Sequence, residues 1–292
     1  MIITDFHTHT FPDAIAQRAI AGMQQNSHAA AFSSGTEASL IEAMDRAGIG
    51  RSVVLPVATN PEKIASLNDK LICREKSQRV VLFGAMHPQA ENWKEELNRL
   101  SAAGIPGIKL HPQYQGTDIT DIRCLRILDH AASLGLLVVT HAGDEIAYPD
   151  QVRCSPEMIR SVCDQLGNVP LVLAHMGGWK NWQRVADNLA HTACYLDTAI
   201  SLGSIVPIDD HYAPEELPLL SKEDFVSLVR AFGSNRILFG TDSPWADPAE
   251  EIRKITSLPL TQTEIENILS RNAATLLGPE PSPGGKVPRR GG

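Results

Sequence analysis

The sequence begins with MIITDFHTHTFP, residues 1–12, and this stretch carries the first evidence about the fold. The run MIITDF is largely apolar and rich in β-branched residues, which predicts a buried strand. Side chains of a strand alternate between its two faces, so His7 and His9 share one face. An open doubly wound sheet would normally place a glycine-rich phosphate turn after an early strand. This chain places HTHTFP there, which argues against that alternative within the α/β class.

Short apolar runs of β type recur along the chain, and each is followed by a helical pattern. Runs such as VVL, LVV and LVL are apolar on both faces, as strands of a covered parallel sheet are. The eight runs are MIITDF (1–6), RSVVLPV (51–57), RVVLFGAM (79–86), GIKLH (107–111), GLLVVTH (135–141), PLVLAH (170–175), ACYLDTA (193–199) and RILFGTD (236–242). Eight βα units in this length predict an α/β fold, a (β/α)₈ TIM barrel formed as a single domain by residues 1–277. The Pro/Gly-rich tail, 278–292, is predicted to be disordered.

Helix signals occupy the segments between these runs. Asn60 and Ser155 are predicted N-caps, and each is followed by a proline in the first turn. The predicted helical segments are 37–48, 60–72, 117–135, 155–167, 179–190 and 221–233. Residues 13–36 and 200–220 are instead predicted to be long loops after the first and seventh strands. Loops at these places in a barrel usually contact the substrate.

The composition restricts the classes of function. A chain of 292 residues can bury a stable core without disulfides. Its formal net charge of −8 argues against a nucleic-acid partner or an anionic membrane surface, because both attract basic proteins. The five cysteines are odd in number and never in CxxC spacing, which indicates reduced thiols. No signal peptide or membrane span is visible, so a cytoplasmic protein is expected.

Reactive side chains fall at the ends of the predicted strands, where the mouth of a (β/α)₈ barrel carries its chemistry. These residues are His7, His9, His87, Lys109, His111, His141, His175, Asp197 and Asp242. Two imidazoles that face into a barrel mouth are costly to bury without partners. A divalent cation would satisfy both, since imidazole is a common ligand of zinc and other transition ions. The further strand-end residues favour this metal site over two structurally hydrogen-bonded histidines.

Four motifs carry a resemblance to a known family. They are HTH in DFHTHTFP, TH in VVTHAG, H in LAHMGG and D in FGTDSPW. In this order and on these strands, they resemble the amidohydrolase superfamily of metal-dependent barrels. The closer likeness is to amidohydrolase family 2, which includes hydrolases and decarboxylases of the aminocarboxymuconate-semialdehyde type. The resemblance spans residues 2–277, and the closing RNAATLLG is similar to the last helix of the family.

The resemblance implies a metal site. It implies that His7, His9, His141 and Asp242 bind one divalent ion, with Zn²⁺ expected and Mn²⁺ or Fe²⁺ as alternatives. Three neutral nitrogens and one carboxylate leave a position for water, whose pKa such an ion lowers to about 7. Asp242 would then be the catalytic base that takes the proton of this water. The alternative role for Asp242 is a helix cap before Pro244.

Alternatives stay open for His175 and for the IKLHP motif. The resemblance makes His175 a catalytic acid or base, whereas the alternatives are a ligand of a second ion and a buried structural histidine. Lys109 and His111 have the same parity, so both face the barrel interior if either does. A carbamylated Lys109 would make the site binuclear. The other interpretations of this pair are binding of a substrate carboxylate and an ion pair within the barrel. Asp197 either orients a ligand or His175 from behind, or makes a structural hydrogen bond.

Residues near the strand ends and in the two long loops are candidates for the wall of the substrate pocket, although packing would also explain each of them. They are His87, Tyr114, Trp179, Trp182, Trp245 and His211. The hypothesis from the sequence is a hydrolase that uses metal-activated water on an amide, lactone or ester-like bond of a small molecule. The resemblance also allows a homodimer.

Two alternative functions stay open at this point. The first is non-oxidative decarboxylation of an unsaturated or aromatic carboxylic acid on the same metal site. This reaction needs a cation to hold the substrate carboxylate, and Arg18, Arg51 and Lys109 are the candidates. The second alternative is a barrel that binds a metal or a metabolite without turnover.

Overall fold

The computed structural model describes residues 1–167 and 169–278. Neighbouring strands pair in parallel, in the orders β1-β2-β3 and β4-β5-β6-β7-β8-β9. The strands are β1 (Ile3–Thr8), β2 (Ile49–Val54), β3 (Val80–Leu82), β4 (Gly84–Ala85), β5 (Gly107–Leu110), β6 (Leu137–Thr140), β7 (Leu171–Leu173), β8 (Tyr195–Asp197) and β9 (Ile237–Leu238). Apart from Gly278, the tail for which disorder is predicted lies outside the described residues.

The two sheets close into one barrel of eight strand positions. β3 and β4 are separated only by Phe83, whose backbone N–H continues the pairing with β2. The first and last strands are joined as well, because Phe6 N–H donates to the carbonyl of Phe239 at 2.7 Å. One step further along, Asp242 N–H donates to the carbonyl of His7 at 2.8 Å. The predicted TIM barrel is therefore confirmed.

Helices follow the strands along the described chain, and none of them is both long and apolar enough to cross a membrane. The helices are α1 (Asp13–Ser27), α2 (Glu37–Ala47), α3 (Ile64–Ile72), α4 (Trp93–Ala102), α5 (Ile122–Ser133), α6 (Pro156–Leu166), α7 (Val185–Leu189), α8 (Lys222–Phe232), α9 (Pro248–Thr256), α10 (Gln262–Glu266) and α11 (Asn272–Leu277). Both predicted N-caps are confirmed, because the side chains of Asn60 and Ser155 accept hydrogen bonds from backbone N–H groups of the following turn.

Three predicted segments differ from the observed structure. The segment 13–36, predicted as a loop, contains the helix α1, which buries Ala16 and Ile20. The helix predicted over 117–135 begins only at Ile122, because the side chain of Asp121 caps it there. The helix predicted over 179–190 shortens to a 3₁₀ turn followed by α7.

An apolar layer fills the barrel beside the strand-end lysine. Val139 pairs in register with Lys109 and with Val172, so the three side chains share one face of the sheet. Both valines belong to a buried cluster that packs against Leu276 and Leu277 of α11. Lys109 is 1% exposed, and this burial lowers its pKa to about 8. The layer forms an apolar floor beneath the polar residues of the mouth.

Candidate metal centre

The carboxyl ends of the strands open into one cavity of about 1560 Å³. Ten of the residues predicted for the site line it, and the first and last of them in the chain are separated by 238 residues. These residues are His7, His9, Lys109, His111, Tyr114, His141, His175, Trp179, Asp242 and Trp245. Asp197 lies buried behind His7 instead. The barrel therefore collects most of the predicted site in one place.

The innermost cluster is made by His7, His9 and Asp242. The Nε2 atoms of the two histidines lie 3.2 Å apart. The Oδ1 atom of Asp242 lies 3.4 Å from the Nε2 of His7 and 3.0 Å from the Nε2 of His9. One ligand atom from each residue thus falls within the compact volume that a single cation needs.

Hydrogen bonds on the far side of each ring fix the tautomers of His7 and His9. The Nδ1 of His7 lies 2.9 Å from the Oδ2 of Asp197, and the Nδ1 of His9 lies 2.7 Å from the carbonyl of Leu55. Carboxylate and carbonyl oxygens only accept, so both Nδ1 atoms carry the proton. In the neutral imidazoles, each Nε2 atom then carries a lone pair. The two lone pairs face each other and the carboxylate of Asp242.

His141 and His175 are oriented by the same device. The Nε2 of His141 donates to the carbonyl of Asp144 at 2.8 Å, so the Nδ1 of this ring carries the lone pair. The Nδ1 of His175 donates to the carbonyl of Ala199 at 2.9 Å, so the Nε2 of that ring carries the lone pair. The ring centroid of His175 lies 5.3 Å from that of His7 and 4.9 Å from that of His141. An oxygen acceptor behind each ring is the usual environment of a metal-binding histidine.

Asp197 ties the first and sixth strand positions together. Besides holding His7 with Oδ2, its Oδ1 accepts the backbone N–H of His175 at 3.0 Å and that of Ala199 at 3.1 Å. Burial alone would raise the pKa of this carboxyl, but the charge and hydrogen bond of His7 outweigh burial and lower it. Asp197 is therefore an ionised acceptor at neutral pH.

Asp242 has a strained backbone conformation, and the buried side chain of Asp5 stabilises the residue before it. Its φ of +61° is unusual for a residue other than glycine. Asp5 accepts the hydroxyl of Thr241 at 2.6 Å and its backbone N–H at 3.0 Å, directly before Asp242. The helix cap predicted as the alternative role belongs instead to Asp247, which caps α9. Burial would raise the pKa of Asp242, but His7 and His9 lower it well below its usual range.

A family model described as amidohydrolase matches residues 4–278 of the chain. The chain belongs to the amidohydrolase 2 family. No curated protein matches it.

Solved structures share the fold of this amidohydrolase at low sequence identity. An uncharacterised TIM-barrel protein from Bordetella bronchiseptica has a TM-score of 0.71 and 18% identity, over 95% of this chain and 98% of that chain. A dihydroxybenzoic acid decarboxylase from Polaromonas, with bound manganese and an inhibitor, has a TM-score of 0.68 and 13% identity, over 94% and 96%. A candidate 2-pyrone-4,6-dicarboxylic acid hydrolase from Pseudomonas putida has a TM-score of 0.61 and 14% identity, over 95% and 97%. These likenesses show the fold.

A second polar cluster of the amidohydrolase contains a residue that sequence reasoning missed. Glu145 is buried, and its Oε2 lies 3.3 Å from the Nε2 of His111 and 3.6 Å from the Nε2 of His141. The hydroxyl of Tyr114 donates to its Oε1 at 3.3 Å. The sequence signal was a carboxylate four residues after a strand-end histidine, but loop residues have no periodicity that fixes where they point.

Lys109 joins the inner cluster of the amidohydrolase. Its Nζ lies 3.3 Å from the Nε2 of His7, so an ammonium there donates to one of the lone pairs. The other two cations predicted to hold a substrate carboxylate lie elsewhere. Arg18 is exposed on α1, and Arg51 donates to the carbonyl of Gly278. Among the described residues that line the cavity, the cations are Lys70, Lys109 and Lys254.

The walls of the cavity come from α1 and from residues 200–206, so both segments expected to shape the pocket do line it. Trp179 and Trp245 contribute aromatic surface. Trp182 lies outside the lining and donates from Nε1 to the carbonyl of His175 at 2.8 Å. The walls are mainly apolar, which suits a substrate with an apolar body.

His87 and His211 do not line the cavity. His87 is buried, and its Nδ1 accepts the backbone N–H of Gln89 in the turn after β4. His211 is exposed and stacks on His28 with 3.8 Å between ring centroids. His28 itself lines the cavity.

The buried histidines predict how stability depends on pH. Burial, reinforced by Lys109, lowers the pKa of His7 from 6.5 to about 4, and burial lowers those of His111 and His141 well below 6.5. At these three histidines the unfolded chain therefore binds more protons than the folded chain as the pH falls from 6.5 towards 4. Burial raises the pKa of Asp5 to about 7, so this carboxyl acts in the opposite direction over the same range. For His7 alone, the contribution to the free energy of unfolding is fully present above pH 6.5. It should fall by about 3 kcal/mol as the pH decreases to 4. Urea unfolding of chelator-treated Asp5→Asn, which lacks the opposing carboxyl, measures the histidine effect on both sides of this window, and equal stabilities in that variant would contradict the expectation.

Proposed function

We propose that this amidohydrolase is a metal-dependent hydrolase that adds water across an amide, lactone or ester-like bond of a small molecule. The observation that carries the proposal is the set of three acceptors at the inner cluster. Two imidazole lone pairs and a carboxylate oxygen lie within 3.4 Å of one another. Such acceptors repel one another unless a cation lies among them. Lys109 hydrogen-bonds to His7, and its charge also acts on Asp242, but a divalent ion would satisfy all three acceptors at once.

The donor set fits a divalent transition ion. His7 and His9 would offer Nε2 and Asp242 would offer Oδ1. His141 would be the fourth ligand through the Nδ1 that its bond to Asp144 leaves free, although the structure groups its ring with His111 and Glu145. Nitrogen and carboxylate ligands in this ratio suit Zn²⁺, Mn²⁺ or Fe²⁺. When bound, such an ion lowers the pKa of a water to about 7 and polarises a carbonyl group.

The side chains around this position divide the remaining tasks. Asp242 is ionised at neutral pH, so its carboxylate can accept a proton from water and return it to the leaving group. His175 keeps Nε2 free because Nδ1 is occupied by Ala199, which suits a group that exchanges a proton with the substrate. The apolar walls would hold the body of the substrate and exclude bulk water.

Decarboxylation of an aromatic or unsaturated acid is the second candidate, and Lys109 is the observation that favours it. Its Nζ lies at the inner cluster, where a substrate carboxylate could reach both this ammonium and the ion. The decarboxylase from Polaromonas shares the fold. Hydrolysis remains the first proposal, because no arginine is found among the described residues that line the cavity. A third candidate function is binding of a metal or a metabolite without turnover. It is disfavoured because it does not explain why His175 and Asp242 are oriented towards the cavity.

The cavity and the net charge of the chain bear on the partners of the protein. We propose a cytoplasmic protein whose partner is a small molecule, with a homodimer as an open alternative. The cavity supports the small-molecule partner, and the net charge of −8 disfavours nucleic acid and anionic membranes.

Metal content per chain is the first test, measured by plasma mass spectrometry on untagged protein. One equivalent of a transition ion is expected. Two equivalents would instead support a binuclear site with carbamylated Lys109, or with the second cluster as ligands. No ion, even after reconstitution with Zn²⁺, Mn²⁺ or Fe²⁺, would contradict the proposed metal centre.

The reaction class is tested with the metal-loaded protein in oxygen-18-labelled water. Hydrolysis of an ester, lactone or amide places one labelled oxygen in the product. Decarboxylation of an aromatic acid releases CO₂ without taking up water. Label in the product supports the first proposal, and CO₂ release would replace it with the second.

A further inference from the structure

Two cysteines far apart in the sequence lie side by side in the fold, away from the residues that line the cavity. The Sγ atoms of Cys163 and Cys194 are 3.7 Å apart, although the residues are separated by 31 positions. Cys163 lies on α6, and Cys194 directly precedes β8. The spacing of these cysteines in the sequence does not indicate the pair, because the contact depends on how α6 packs beside β8.

The two thiols differ in ways that give them different chemical roles. Cys163 is partly exposed, whereas Cys194 is buried. The hydrogen bond between them lowers the pKa of Cys163 and raises that of Cys194 well above its usual value. Burial and the Asp164 carboxylate oppose the lowering at Cys163, and the guanidinium of Arg160 adds to it, so the direction is set by the contact with Cys194. An accessible, more acidic thiol beside a protected second thiol is the arrangement in which an oxidant reacts at the first and the second resolves the product.

We propose that Cys163 and Cys194 are a dithiol modification site that a hydroperoxide converts into an intramolecular disulfide. In the first step the Cys163 sulfur attacks the peroxide, the O–O bond breaks, and a sulfenic acid and one water (or alcohol) form. In the second step the Cys194 sulfur attacks the sulfenic sulfur, an S–S bond forms, and the hydroxyl leaves as water with the thiol proton. The two sulfurs lose two electrons in total, and the peroxide gains them.

The contact is close enough for this bond after a modest movement. A disulfide holds its sulfurs about 2.05 Å apart, so the two sulfurs must approach by about 1.7 Å for the bond to form. The other three thiols are placed differently. Cys73 is exposed, whereas Cys124 and Cys154 are buried, and burial raises the pKa of both. Cys73 is therefore a matched control for exposure without a resolving partner.

The test treats the full chain with hydrogen peroxide and counts free thiols by maleimide labelling in denaturant. We expect the count to fall from five to three, and peptide mapping to find Cys163 joined to Cys194. Dithiothreitol should restore five. Cys163→Ser should abolish the link, whereas Cys73→Ser should form it as the wild type does. Because Cys163 is partly exposed, its serine variant tests the link without a new buried polar group.

Several results would overturn the proposal. Five thiols after treatment would show that the pair does not react. Sulfinic or sulfonic acid at Cys163 without a link to Cys194 would show that no resolution occurs. A link that forms equally in Cys163→Ser would assign the chemistry to other cysteines. None of these readouts depends on a bound metal or on turnover, so the outcome is independent of the proposed function.

Discussion

Replacing Asp242 with asparagine is expected to remove turnover while the barrel stays folded. The carboxylate supplies the one negative charge among the three acceptors of the inner cluster, and asparagine cannot accept a proton from water. Loss of the base alone should lower kcat by about 10²–10⁴. Loss of the charge should also weaken metal binding. Bound metal, measured by plasma mass spectrometry, and turnover of the substrate identified by screening provide the two readouts.

Asp247→Asn is the matched control for this variant. Asp247 also lines the cavity, but its side chain caps α9, and asparagine caps helices equally well. The control should therefore keep metal and activity. Full activity in Asp242→Asn would refute the role of this carboxylate, and loss of activity in both variants would point to the general charge of the cavity.

Replacing Asp197 with asparagine is expected to have the second-largest effect. The new amide can keep its oxygen on the backbone N–H groups of His175 and Ala199, but it then presents an NH₂ to the Nδ1 of His7. A donor there forces the proton of His7 onto Nε2, so the lone pair no longer faces the inner cluster. Metal affinity should fall by about 10–100-fold, which is the usual cost of losing such a partner.

Competition with a chelator measures the affinity of this variant, and circular dichroism checks the fold. A structural role alone would lower stability and leave the metal affinity unchanged, so that outcome would contradict the proposed positioning of His7. Asp5→Asn is a useful comparison. Asp5 is a buried side chain on β1, the strand of His7, and it accepts hydrogen bonds from Thr241 rather than from a ring nitrogen.

The sequence was most informative where a local pattern decides which way a side chain faces. Alternation in strands predicted that His7 and His9 point together, and strand ends predicted that most of the site would meet in one mouth. Helix caps such as Ser155 could be predicted because their sequence pattern extends over only a few residues. These features depend on neighbours in the chain, so the sequence contains them.

Features that depend on the path of the chain could not be predicted. The position of Glu145 is set by a loop without periodicity, and the contact of Lys109 with His7 crosses from the fourth strand position to the first. The helix α1 was missed because its apolar residues, many of them alanine, form only a weak stripe. Cys163 and Cys194 meet through the packing of a helix beside a strand.

The hydrogen bond from Asp242 to the carbonyl of His7 joins the last strand position of the barrel to the first. The proposed ligands therefore lie far apart in the sequence, from His7 to Asp242, and a polypeptide that has not yet been synthesised as far as Asp242 lacks one of them. We expect ion capture to be among the latest events of folding, so bound metal would distinguish complete molecules from truncated or misassembled ones. The ion would then stabilise the completed barrel as well as take part in catalysis.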